Sequence, residues 1–198
     1  MNNISCLVKL HSALSQAVKE EGKNMLNLGL LILRLALGLT FIGHGGQKLF
    51  GWFGGQGLPG TNAMMERLGF RPTWFWGLLA ALSEFGGGVL LALGLLAPLG
   101  SLGIMAAMMV AITRVHWLKG FWNSKGGFEF PLINLSSALA LAVIGPGAYS
   151  LDAILGISLP EPGTLLIGVI LIILGFFIGQ TVHSHIQVKK QGGHLNVR

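Results

Sequence analysis

Residues 28–50 read LGLLILRLALGLTFIGHGGQKLF, and before Gly43 the stretch carries one charge, Arg34. At 1.5 Å of rise per residue it covers about 35 Å, enough to cross a hydrocarbon core of about 30 Å. Four more apolar runs follow, at 74–96, 99–118, 130–147 and 163–181. The second and third are separated only by Pro98–Gly100, which predicts a tight turn between antiparallel neighbours. The period-two alternation of a membrane barrel is absent.

The fold class read from this pattern is an all-α membrane protein: a four-helix up-down transmembrane bundle plus a fifth C-terminal transmembrane helix and an N-terminal amphipathic helix. Residues 1–25 form the amphipathic interfacial segment. There Ile4, Leu7, Val8, Leu14 and Val18 fall near helical spacing, while Lys9, Lys19, Glu20 and Glu21 occupy other faces. Residues 26–156 form the four-helix unit, 157–182 the extra span and 183–198 a polar tail.

Composition agrees. Hydrophobic residues make up 52% of the 198 and charged residues 10%, against about 25% in a soluble domain, too few to coat a globule in water. The net charge of +6 reads as a topology signal, and no nucleic-acid partner is expected. Nine of the thirteen Lys and Arg, with all five tryptophans, fall at the end of the spans that also holds the C-terminus. By the positive-inside rule that end is cytoplasmic, and the tryptophans suggest a mouth there. The connection from Gly51 to Thr73, with a short helix from Thr61 to Leu68, could form its lid. A single cysteine, Cys6, excludes an intrachain disulfide, a CxxC pair and a cysteine zinc cage. The 31 glycines favour close helix packing.

Charges inside apolar spans carry the functional information, since each costs about 2.5–3.5 kcal/mol at the bilayer centre. Arg34 and Glu84 are such a pair, and a salt bridge between them would fix the register of the first two spans. His44 and Lys48 lie one turn apart on the first span, on the stripe that holds Arg34, and the Gly45–Gly46 pair weakens the helix beside them. His116 ends the third span and Glu129 begins the fourth. These six residues are expected to meet in a shared interior chamber: Glu84, His44 and Glu129 as proton-handling catalytic groups, Arg34, Lys48 and His116 as ligand-binding groups. No metal site is expected. His183, His185 and His194 read as a solvated tail, because no carboxylate or cysteine accompanies them.

The stretches Arg34-Leu-Ala-Leu-Gly, Gly43-His44-Gly45-Gly46-Gln47-Lys48-Leu49-Phe50-Gly51 and Ala81-Leu82-Ser83-Glu84-Phe85-Gly86-Gly87 open an ordered pattern. It continues through Val115-His116, Gly127-Phe128-Glu129-Phe130 and Gly145-Pro146-Gly147-Ala148-Tyr149-Ser150-Leu151-Asp152. Over residues 30–156 this resembles the DoxX family. The resemblance implies a four-helix unit of the inner membrane placed among membrane oxidoreductases, some of them quinone-linked. The first 24 residues and the fifth span depart from that basic pattern.

Two functions stand side by side at this level. One is a quinone-binding oxidoreductase subunit. Since the chain has no dinucleotide fingerprint, its electrons come from a redox partner or another bound group. The other is a non-catalytic scaffold or small-molecule carrier, with a homo-oligomer open to either. A b-type haem between His44 and His116 is a minor third, opposed by their unequal depths.

Overall fold

The computed structural model describes the backbone of residues 2–160 and 162–193, with side chains from Leu7 to Ile178 apart from Val8 and Glu161. Within these residues the chain is helical, with no strand. Its helices are α1 (Asn2–Leu49), α2 (Gly57–Arg67), α3 (Thr73–Leu93), α4 (Ala97–Val110), α5 (Glu129–Ile144), α6 (Leu151–Leu155) and α7 (Gly163–Gly193). Beyond Val110, α4 loosens into a π-helical segment, Ala111–His116, and a 3-10 turn, Trp117–Lys119. Three segments are long and apolar enough to cross a membrane: Lys9–Leu49, Thr73–Leu93 and Ala97–Lys119. Glu129–Ile144 and Gly163–Ile178 are apolar but shorter. The histidine side chains of the polar tail lie outside the described residues.

No proline interrupts residues 2–49, so the segment expected to be interfacial and the first span form one continuous helix. The helix runs unbroken through the Gly45–Gly46 pair. A Cβ on Gly45 would strike the backbone of Phe85, and one on Gly46 the ring of Trp52. Both glycines serve close packing. The turn between α3 and α4 differs from expectation. It lies at Gly94–Leu96, and Pro98 already sits in the first turn of α4, where its missing N–H costs nothing. Gly94, at φ 62°, ends α3 in a Schellman motif: Leu95 N–H donates to Leu90 O at 2.9 Å and Gly94 N–H to Leu91 O at 3.0 Å.

α3 is the central helix, packed against α1 on one side and α4 on the other. Small residues let the backbones approach, as hydrocarbon solvent requires, since it drives helices together only weakly. A Cβ on Gly88 would lie 2.7 Å from Gly38 O in α1, and one on Gly87 2.9 Å from Gly100 O in α4. Leu37, Phe41, Leu91, Ile104 and Leu141 fill the core where α1, α3, α4 and α5 meet. α2 covers the ends of α1 and α3, and α7 leans on α4.

Candidate functional site

Arg34 is fully buried, but Glu84 is not its partner. Its Nη2 donates to Tyr149 O and its Nη1 to Leu91 O at 3.5 Å. The expected Arg34–Glu84 bridge is therefore corrected. The reason is depth: Leu91 lies seven residues beyond Glu84, about 10 Å along α3, where a guanidinium meets the carbonyls of a helix C-terminus. Across the same turn the carboxylate of Asp152 accepts from Leu96 N–H at 2.8 Å and Ala97 N–H at 3.1 Å, capping the N-terminus of α4. Asp152 is also the acidic group whose charge acts on Arg34. Arg34 and Asp152 thus match the opposite helix-dipole ends of one hairpin. Asn27 extends the cluster, its Oδ1 accepting from Ala148 N–H at 3.0 Å.

Glu84 instead forms an ion pair with Lys48, which reaches it from the last turn of α1. Glu84 is 4% exposed, and its Oε2 is buried with no hydrogen-bond partner among the described residues. Both residues line a cavity of about 570 Å³ bounded by α2, α3, α4 with its π-helical extension, and α7. The size is that of a small-molecule pocket. Its walls are mostly apolar, among them Met64, Leu79, Leu102, Val110, Leu171 and Phe176. The polar side chains on the lining are Lys48, Ser83, Glu84 and His116.

His116 enters from the π-helical segment, a distortion that often accompanies function. Its Nδ1 lies 2.6 Å from Gly126 O. A carbonyl only accepts, so Nδ1–H donates to it.

The six expected residues therefore divide. Lys48, Glu84 and His116 share the cavity, and Arg34 belongs to the hairpin cluster. His44 is exposed between the rings of Phe41 and Phe130, each 6.2 Å away by centroid. The face of α1 that brings Lys48 to α3 leaves His44 turned towards α5. Glu129 accepts from Asn123 N–H at 3.0 Å and so braces the turn before α5. One shared chamber for all six is not what the structure has.

Several contributors were not singled out from sequence. α7 supplies a wall through Gly168, Leu171, Ile172, Gly175 and Phe176. Arg114 lies over the rings of Phe70 and Phe176, at 5.8 and 5.7 Å. A lone arginine beside a span end gives no sign of which aromatic rings it will meet.

The family model for DoxX matches residues 29–117, the stretch that carries Lys48, Glu84 and His116. The inner membrane protein YqjF of Escherichia coli strain K12 is 31% identical over 136 residues, which cover 67% of this chain and 96% of that protein. The chain belongs to the DoxX family. Two further relatives agree with this. The inner membrane protein YphA of the same organism is 33% identical over 132 residues, covering 62% of this chain and 87% of its own. The membrane protein Rv3486 of Mycobacterium tuberculosis is 30% identical over 132 residues, covering 62% and 78%. No solved structure gives a significant match. This DoxX chain is an integral membrane protein with inner-membrane relatives, and α7 lies beyond the residues that the family model matches.

Proposed function

We propose that this DoxX protein binds a quinone, or a similar apolar redox molecule, in the cavity between α3, α4 and α7, as one subunit of a membrane oxidoreductase. The observation that carries the reading is the Lys48–Glu84 pair, set in a mostly apolar wall with one carboxylate oxygen unpaired among the described residues. A flat apolar ring with two carbonyls suits such a site: the walls take the ring, and Lys48 can donate to a carbonyl oxygen. Reduction of a quinone to the quinol takes two electrons and two protons. Glu84 can hold a proton beside the carbonyl nearest the ion pair, and His116, at the far end of the cavity lining, can hold one further along it. Electrons come from a redox partner or another bound group, because the chain has neither a cysteine pair nor a dinucleotide fingerprint.

A bis-histidine haem fits this arrangement poorly, since His116 alone of the two expected ligands lines the cavity. The basic residues place the C-terminus in the cytoplasm on this reading, and a reporter fused after Arg198 should be active there.

Solvent extraction of protein purified in mild detergent tests the function. A lipid-soluble quinone recovered in near-stoichiometric amount supports it. A redox-inert apolar molecule in its place supports the carrier reading.

A further inference from the structure

Resting on the quinone reading, we propose that the cavity exchanges its ligand sideways with the hydrocarbon layer. The route is a mouth rimmed by Leu79, Leu99 and Leu171, and the bound ligand keeps an apolar tail in that mouth. Most of the cavity wall is buried or half-buried, but these three leucines line it and are also 45%, 44% and 61% exposed. The cavity is partly open, and these exposed leucines mark where it reaches the surface. The three belong to α3, α4 and α7, apolar helices whose outer faces meet lipid tails.

The packing explains the opening. α7 leans chiefly on α4, so α3 and α7 form two banks of a cleft with α4 as its floor. Gly103, Ala106 and Ala107 keep the floor low. Gly168 seats α7 against Leu102, whereas a Cβ on Gly175 would meet nothing within 4 Å. The opposite end is covered: Met64, Met65 and Leu68 close over it, and the Thr61 hydroxyl lies 3.2 Å from Lys48 O, tying α2 to α1.

The polar pair lies deep. A Cβ on Gly103 would stand 2.9 Å from Ser83 O, which puts Ser83 and neighbouring Glu84 level with Gly103. That is six residues, about 9 Å of helix rise, into α4. A headgroup held there is inside the bilayer, and its tail leaves through the leucine rim.

The mouth is tested in full-length protein in bilayer vesicles, with Cys6→Ser as background and Ala106→Cys as reporter. A pyrene maleimide dissolved in the bilayer should label the thiol about tenfold faster than a sulfonated maleimide confined to water, and Leu79→Trp with Leu171→Trp should slow it about tenfold. Gly175→Cys provides the same readout should Ala106→Cys fold poorly. Equal labelling by both reagents, labelling by neither, or indifference to the tryptophans would overturn the mouth.

The tail is tested with two quinones that share one headgroup. The rim tryptophans should weaken a decyl-tailed quinone about tenfold and leave the tail-less one within about twofold. Equal weakening, or none, would overturn the tail. If neither quinone binds the unmodified protein, the quinone reading fails and the tail with it, while the labelling rates still decide the mouth.

Discussion

Lys48 and Glu84 pair across the interface of α1 and α3, where the glycine at position 45 lets α1 lie directly on the backbone of Phe85. The pair supplies opposite charges to a cavity that otherwise has little polarity, and each charge makes the other tolerable. Removing Lys48 strands the buried Glu84 carboxylate, at about 3–5 kcal/mol, removing Glu84 costs less because Lys48 is partly exposed, and replacing both with apolar or neutral groups is often close to neutral. Lys48→Met and Glu84→Gln should each lower the melting temperature in detergent. The double variant should melt near the parent, and a double variant showing the sum of both losses would argue against the pairing.

The glycine run at 86–88 separates packing from helix propensity. Gly88→Ala places a Cβ 2.7 Å from Gly38 O and Ile42 N, forcing α1 and α3 apart at about 1–3 kcal/mol. Gly86→Ala meets nothing within 4 Å and should be neutral or slightly stabilising. Thermal melts of the two variants side by side should differ in sign or nearly so.

Arg34 is a structural group on this account. Arg34→Lys keeps the charge but gives up the planar fork that reaches Leu91 O and Tyr149 O together. A loss of about 1–3 kcal/mol should follow, with quinone binding unaltered once the variant is folded. Urea or thermal unfolding read beside a binding titration checks both halves.

Arg114 bridges Phe70 and Phe176 and so fastens α7 beside the cavity. Arg114→Leu removes two cation–π contacts worth about 0.5–2 kcal/mol each. Amides of α7 around residues 168–176 should then exchange hydrogen faster, while those of α3 keep their protection.

The helices were legible because long apolar runs, ended by Gly94 and Gly145, leave the chain few alternatives. The partners of the charges were not. Helical rise and rotation put Arg34, His44 and Lys48 near one stripe, but they do not say how α1 is turned against α3. A turn of the helix decides that Lys48 finds Glu84 and that His44 faces Phe130. Arg34 depends on Tyr149 and Asp152, more than a hundred residues away and outside the spans, so no local spacing points to them. The wall from α7 was hidden for a related reason: a uniformly apolar helix does not reveal which of its faces meets protein.

Quenching of Trp76, on the cavity wall, by a decyl-tailed quinone reports occupancy of the cavity. Saturable quenching is expected in the parent, weakened about tenfold or more in the folded Lys48→Met/Glu84→Gln variant. Quenching that rises linearly with quinone, with the same slope in parent and variant, would contradict it.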